Sequence, residues 1–254
     1  EWQRKYADQS QFYQEAQNPE ELYEGVQYAE RAGVKDIYLF TNTWHADGGF
    51  WPRASLNWAV RKDVFPRGEA DLRAFSNHLE SKGMHLKIHW VSGGICEHDP
   101  RYILPQPDPR LANWITGQLV AAVDTKETTL LFKPEPGFDK RSLDAVVNNH
   151  RGQMPSHVRV GAELIQVGSF GDTDAEIWTL RDCVRGASGT GARQHATGVE
   201  LTGLQRPYNI VFTPDVDSTL LDEMAEGFAG LVNRCRIMNV EYDGYEIHGY
   251  AGRW

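Results

Sequence analysis

The chain has 254 residues, of which 41% are hydrophobic, so it can bury a sizeable core in one large domain or two smaller ones. Its net charge is −9, and this acidic balance argues against a nucleic-acid partner, because phosphate binding needs clustered Lys and Arg. We also expect no membrane partner, no metal motif and no disulfide framework, since no apolar run approaches the roughly 18 residues of a membrane span and Cys96, Cys183 and Cys235 lie far apart.

Helices and strands alternate in the first part of the chain. Residues 1–19 are polar with scattered aromatic side chains, and we interpret them as an opening segment. Asn18 and Pro19 predict a helix start, because Asn caps helices and Pro fits the first position, and Gly33 predicts the end of that helix. The helices are predicted over residues 19–33 and 69–82, and the strands over residues 36–41 and 85–91. Such alternation predicts a parallel α/β sheet or barrel.

The pattern changes between residues 120 and 207, where short β-rich pieces are separated by turn residues and helical periodicity is absent. This segment is predicted to be a small all-β module. The alternation then returns with a strand over residues 208–213, a helix capped by Asp217-Ser218-Thr219, and a closing strand that carries Asp243. A module that interrupts such a pattern is typical of an insertion in a surface loop. The predicted domains are residues 1–119, 120–207 and 208–254.

Four strand–helix units are counted outside the inserted module. A complete (β/α)8 barrel needs about 250 residues, so the count predicts half of such a barrel or an open parallel sheet. The closing strand ends in Glu241-Tyr242-Asp243, as expected where a buried strand opens into an active site. Alternation places Glu241 on the same side of the strand as Asp243.

Four stretches, in order along the chain, carry a resemblance to a known enzyme family. They are Phe65-Pro66-Arg67-Gly68 with the run to Lys87-Ile88-His89-Trp90, then Glu97-His98-Asp99-Pro100, Phe212-Thr213-Pro214-Asp215-Val216 and Glu241-Tyr242-Asp243. In these stretches the chain resembles the melibiase-like glycoside hydrolases, the α-galactosidase superfamily of TIM barrels. The resemblance implies the α/β class and a (β/α)8-type TIM barrel, of which about four units are present, with an inserted all-β module.

The same resemblance implies a function. Asp243 matches the position of the family's catalytic nucleophile, so we expect a retaining glycosidase that acts on a poly- or oligosaccharide. Glu241 stands where the family has Lys. The family's acid/base carboxylate comes from its sixth strand, beyond the units counted here.

The inserted module has a resemblance of its own. The stretch from Cys183 to Thr190, followed by His195-Ala196-Thr197-Gly198, is similar to a small β module of phage tail proteins. This match implies an architectural or binding accessory and brings no catalytic residues.

Polar and aromatic side chains on or just after the predicted strand ends are candidates for binding a carbohydrate. Trp44 is the best candidate for stacking on a sugar ring through the apolar face of its indole. Glu241 and Glu246 flank Asp243 and suit a hydroxyl-rich ligand. The candidate substrate-binding residues are Trp44, His45, Asp47, Trp51, His89, Trp90, Glu241 and Glu246.

Alternative interpretations of these residues stay open. A salt bridge to an arginine would give Glu241 a structural role, and an Asp before Gly244 is also a plain turn signal. A metal could gather His45, Asp47, His89, His98 and Asp99. No compact ligand motif supports that arrangement, so neither a metal nor a cofactor is predicted.

Two other functions compete with glycoside hydrolysis. One is a polysaccharide lyase, or another His- or metal-dependent carbohydrate-active enzyme. The other is a non-catalytic carbohydrate-binding barrel in which the β module is the main binder.

Overall fold

The computed structural model describes residues 10–46, 59–91, 93–136, 157–171, 176–206 and 211–243. The chain divides into two compact units. The parallel unit comprises Glu1–Gly94 and Asp222–Tyr245, and the antiparallel unit comprises Ile95–Leu221 and Glu246–Trp254. Within the described ranges no helix is both long and apolar enough to cross a membrane.

The elements are numbered in chain order within the described ranges. The helices are α1 (Pro19–Ala32), α2 (Thr41–Trp44), α3 (Glu69–Ser81) and α4 (Thr219–Cys235). The strands are β1 (Gln11–Gln14), β2 (Asp36–Leu39), β3 (His85–Val91), β4 (Ile95–Cys96), β5 (Asn113–Leu119), β6 (Leu130–Pro134), β7 (His157–Val160), β8 (Glu163–Gln166), β9 (Ser169–Gly171), β10 (Trp178–Arg181), β11 (Glu200–Leu204), β12 (Val211–Phe212) and β13 (Asn239–Asp243).

The predicted helix boundaries are confirmed by their caps. The Asn18 side chain accepts a hydrogen bond from the Glu21 backbone N–H at 2.9 Å, which satisfies one of the free donors at the start of α1. Gly33 ends α1 in the left-handed conformation, with φ of 76°, where a side chain would be strained. At α4 the Ser218 hydroxyl accepts from the Leu220 N–H at 3.2 Å, as the predicted cap requires.

The parallel unit is built on a four-stranded sheet in the order β1-β2-β3-β13, and each neighbouring pair is parallel. The register aligns Ile37 with Leu86 and Leu39 with Ile88. These side chains are buried on one face of the sheet. Because side chains alternate along a strand, Tyr38 and its neighbours in register lie on the opposite face, which carries the polar groups.

The predicted (β/α)8-type TIM barrel is wrong. The fold is mixed, with 27% helix and 32% strand, and its sheets are mostly antiparallel apart from this half-barrel sheet. Two strand assignments account for part of the difference. The sheet takes its first strand, β1, from the predicted opening segment. The predicted strand over residues 208–213 contributes β12, which pairs antiparallel with β4 in a separate two-stranded sheet.

The antiparallel unit contains a seven-stranded sheet in the order β8-β7-β11-β5-β6-β10-β9. The β-rich pieces predicted between residues 129 and 180 are confirmed as β6, β7, β8 and β10. The sheet also includes β5, which precedes residue 120. One face of the sheet packs a core in which Phe132, Leu180 and Leu201 are fully or almost fully buried. The other face presents alternating polar side chains, as expected for a sheet with one solvated face.

Candidate active site at the ends of β3 and β13

The polar face of the parallel sheet gathers chemically useful side chains at β3 and β13. In the register of these strands Glu241 pairs with His89 and Asp243 pairs with Val91. Alternation therefore puts Lys87, His89, Glu241 and Asp243 on the same face, and Asp243 lies at the carboxyl end of its strand. The sequence prediction that Glu241 and Asp243 share a side agrees with this register.

His89 connects a buried hydroxyl to the carboxylate of Asp243. Its Nε2 lies 3.2 Å from Asp243 Oδ2, and its Nδ1 lies 2.5 Å from Thr41 Oγ1. The His89 side chain is only 3% exposed, whereas that of Asp243 is 41% exposed. Thr41, His89 and Asp243 are therefore joined by two consecutive hydrogen bonds that lead from the core to the solvent.

The electrostatic environment favours a neutral His89. Burial lowers the pKa of His89, and the carboxylates of Asp243 and Glu241 only partly oppose that effect. A neutral imidazole has one donor and one acceptor. The hydrogen-bond network assigns the proton to Nε2, which donates to Asp243, while Nδ1 accepts from the Thr41 hydroxyl.

Packing around His89 fixes the orientation of its ring. The Phe40 ring lies against the imidazole with a centroid distance of 4.3 Å. The indole Nε1 of Trp44 donates to the His89 backbone carbonyl at 3.0 Å. Phe40, Thr41 and Trp44 are close together in sequence because the short helix α2 directly follows β2. One chain segment therefore positions both the ring and its hydroxyl partner.

Glu241 belongs to a second polar group on the same face. Its carboxylate lies 3.4 Å from the ammonium of Lys87, so its ionic partner is a lysine and not the arginine considered from sequence. Lys87 also donates to Gln11 Oε1 at 2.7 Å and lies over the Tyr38 ring. Burial, together with a hydrogen bond to Glu241, raises the pKa of Tyr38 well above its usual range.

The other predicted site residues have different surroundings. Trp44 is fully buried, so its ring offers no open face for stacking on a sugar. Trp90 is also buried and stacks on Phe228 of α4 at a centroid distance of 4.3 Å, on the opposite face of the sheet from His89. His45 is 1% exposed. Asp47, Trp51 and Glu246 lie outside the described residues.

The structure adds residues that sequence reasoning missed. Thr41 and Phe40 belong to the end of β2 and the start of α2, and Tyr38 and Lys87 sit beside Glu241. Alternation along β3 could have indicated Lys87, because it precedes His89 by two positions. The contribution of Thr41 depends on the fold of α2 and has no comparable sequence signal.

The metal-ligand group considered from sequence does not assemble in the described part of the chain. Within those ranges no group of three or more His, Cys, Asp and Glu side chains is arranged to hold an ion. Asp99 instead caps a turn, since its Oδ1 accepts from the backbone N–H groups of Arg101 and Tyr102 at 2.7 and 3.1 Å. His98 lies 3.3 Å from the Ser188 carbonyl.

Comparison with known proteins does not assign the chain to a family. No protein-family model matches it, and no curated protein is significantly similar to it.

Proposed function

We propose that the chain is a retaining glycoside hydrolase whose nucleophile is Asp243. The observation that carries this proposal is the half-exposed carboxylate at the carboxyl end of β13, held by a buried histidine that burial keeps neutral. A glycosidase nucleophile must be rigid, accessible and aimed at one point. In the reaction, a carboxylate oxygen of Asp243 bonds to the anomeric carbon while the bond to the leaving oxygen breaks, and that oxygen takes up a proton from solvent. Water then attacks the anomeric carbon, displaces the Asp243 carboxylate and gives up its proton to solvent.

His89 and Thr41 have positioning roles in this mechanism. The neutral imidazole donates one hydrogen bond to Asp243 and places no positive charge beside it. The Thr41 hydroxyl occupies the other ring nitrogen, which keeps the donating proton on Nε2. The reactive carboxylate is therefore oriented without forming an ion pair with His89.

The rest of the polar face suits a hydroxyl-rich ligand. The ion pair of Glu241 with Lys87 supplies both acceptors and donors to sugar hydroxyls. Tyr13 is 48% exposed and aligns with Tyr38 on this face, so it takes the stacking role predicted for Trp44. β1 lies three strand spacings from β13, or about 14 Å. Tyr13 would therefore contact a more distant unit of an oligosaccharide.

The lyase alternative has weaker support on this face. A lyase needs an accessible His or Tyr that exchanges a proton with the sugar. His89 and Tyr38 are buried, and burial shifts the pKa of each away from neutrality. Tyr13 is accessible on this face, but burial and a hydrogen bond from its hydroxyl to Glu15 raise its pKa to about 12. The other accessible titratable groups beside His89 and Tyr38 are carboxylates and Lys87.

The proposal is tested with a panel of 4-nitrophenyl glycosides that covers both anomers of the common hexoses and pentoses. We expect the intact protein to hydrolyse at least one of them and to retain the anomeric configuration in the product. Asp243→Asn should lower kcat by about a thousandfold or more, because the amide cannot act as the nucleophile.

Asp222→Asn is the matched control. Asp222 is an exposed residue of α4, so the same chemical change there should leave turnover unaltered. Normal turnover by the Asp243→Asn variant would contradict the assignment of the nucleophile. Failure of the intact protein to hydrolyse any glycoside, together with sugar binding, would favour a non-catalytic function.

A further inference from the structure

The antiparallel unit contains a pocket of about 360 Å³ on the solvated face of its sheet. The register of β7 and β11 places Arg159 directly opposite Thr202. Glu200 lies two residues before Thr202 and therefore on the same face. Pro107 and Pro109 from the loop before β5 form another wall.

The loop that bears these prolines is held in place. Arg159 donates from Nη1 to the Asp108 carbonyl at 3.0 Å, which ties the loop to β7. The Asp108 carboxylate accepts from the Arg110 side chain, with Nη2 to Oδ2 at 2.8 Å, and from the Arg110 backbone N–H. Burial raises the pKa of Asp108, but these hydrogen bonds outweigh it and hold that pKa below its usual value. The pocket wall is thus formed before any ligand binds.

Arg159 and Glu200 line the same pocket without neutralising one another directly. Among the described residues neither side chain has an ion-pair partner within 4.0 Å. The bond to the Asp108 carbonyl uses only one of the five N–H donors of the guanidinium. The Thr202 hydroxyl donates to Glu200 Oε1 at 3.3 Å, which orients the carboxylate and leaves its remaining lone pairs as acceptors.

From this arrangement we infer that the pocket is a binding site for one neutral sugar unit, separate from the proposed catalytic face. Guanidinium donors and carboxylate acceptors match vicinal hydroxyl groups, each of which both accepts and donates. The exposed ring of Pro109 offers an apolar surface to the C–H face of the sugar. One positive and one negative side chain line the pocket, so a strongly anionic or cationic ligand is disfavoured. The volume lies at the small end of ligand sites.

This inference rests on the proposed function, because both require a carbohydrate ligand. Its test uses D-glucose, D-galactose and D-mannose as probes, with glycine as a zwitterionic comparator, and follows binding to the full chain by NMR titration of the backbone amides. We expect at least one sugar to shift the amides of residues 159–161 and 199–202. Arg159→Gln should weaken that binding about tenfold or more, since it removes a charged donor.

Matched variants show whether sugar binding depends on this pocket or on the proposed catalytic face around Asp243. Arg181→Gln changes an exposed arginine of β10 and should leave binding unaltered, whereas Glu200→Gln should weaken it. Asp243→Asn should keep it, so the two proposals fail independently. The inference is overturned if none of the three sugars shifts these amides, if glycine alone does so, or if Arg159→Gln keeps its fold by circular dichroism and still binds normally.

Discussion

Each unit of the molecule contains a buried histidine paired with a carboxylate, and these two pairs differ in how completely the carboxylate is enclosed. In the antiparallel unit, His195 Nε2 lies 2.7 Å from Glu163 Oε2, and the glutamate is fully buried. In the parallel unit, the His89–Asp243 pair leaves 41% of the aspartate side chain exposed. The same two chemical groups are thus enclosed in one place and presented to solvent in the other.

The buried carboxylate is surrounded by donors. Glu163 accepts two hydrogen bonds of 2.8 Å from the Arg185 guanidinium and one of 2.9 Å from each of the Gly186 and Arg193 backbone N–H groups. Burial raises the pKa of Glu163, but these bonds and the bond from His195 outweigh it and hold that pKa below its usual value. Full coordination of this kind organises a loop and leaves little room for a substrate.

The structure gives the Cys183–Thr190 stretch and the His195 segment that follows it a local role. These stretches contain Arg185, Gly186 and His195, three of the four residues that donate hydrogen bonds to Glu163. The motif can be understood as the set of partners for one buried charge. The exposed pair in the other unit is the one that suits chemistry on an external molecule.

The largest expected effect comes from breaking the enclosed pair. Glu163→Gln should lower the free energy of unfolding by about 3–5 kcal/mol, because it leaves the buried Arg185 charge without its carboxylate. Urea denaturation followed by circular dichroism measures this change. Asp243→Asn should cost less than about 1 kcal/mol, since its carboxylate is partly solvated. Equal losses in the two variants would contradict the comparison.

A third buried histidine, His157, has a cation as its partner instead of a carboxylate. His157 Nδ1 lies 2.8 Å from Arg206 Nη1, and burial followed by this positive charge lowers the pKa of His157 to about 3. Below pH 6.5 the His157 side chain therefore binds a proton in the unfolded chain but stays neutral in the folded chain until the pH approaches 3. The stability that the neutral ring provides is complete above pH 6.5 and is lost progressively as the pH falls towards 3.

The lowered pKa of His157 predicts that the free energy of unfolding falls as the solution is acidified. Below pH 6.5 the wild-type chain should lose up to about 1.4 kcal/mol per pH unit more than His157→Gln, whose amide oxygen can still accept from Arg206. Urea titrations at pH 7.0, 6.0 and 5.0 measure the two slopes. Parallel slopes would show that His157 does not titrate in this way.

The sequence predicted local features well because their signals are local. The caps at Asn18 and Gly33 bound α1, and β3 has the predicted limits of residues 85–91. Strand pairing is harder to predict from sequence, because the strands that form hydrogen bonds to one another are distant along the chain. The apolar run that ends in Val211–Phe212 would fit a parallel or an antiparallel neighbour equally, and only the folded chain pairs it with β4.

Two segments differ from what their sequence favours, each for a specific physical reason. Gln14 is polar, yet it is 5% exposed and donates to the Leu22 carbonyl of α1. Its polarity therefore masks the sequence signal of β1 as a buried strand. Trp44 follows a strand end, which favoured a sugar-facing role. The short helix α2 instead turns its indole inwards, to the His89 carbonyl. Burial of that kind depends on tertiary packing and leaves no periodic signal.

A smaller effect is expected from breaking the hydrogen bond between Thr41 and His89, which positions Asp243. Thr41→Val keeps the shape of the side chain and removes the hydroxyl that fixes the His89 tautomer. We expect about 1 kcal/mol less stability and about a tenfold lower kcat, with KM little changed. Thr179→Val, a partly buried position of β10, serves as the matched control and should leave kcat unaltered. A wild-type kcat in Thr41→Val would remove the positioning role.

Covalent trapping of the glycosyl-enzyme tests whether Asp243 is the nucleophile. A 2-deoxy-2-fluoro glycoside of the hydrolysed sugar, with a dinitrophenyl leaving group, should slow release of the glycosyl-enzyme enough for peptide mass spectrometry. We expect the fluoroglycosyl mass on the peptide that contains Asp243, attached to its carboxylate. A label on any other residue, or turnover with inversion and no label, would contradict it.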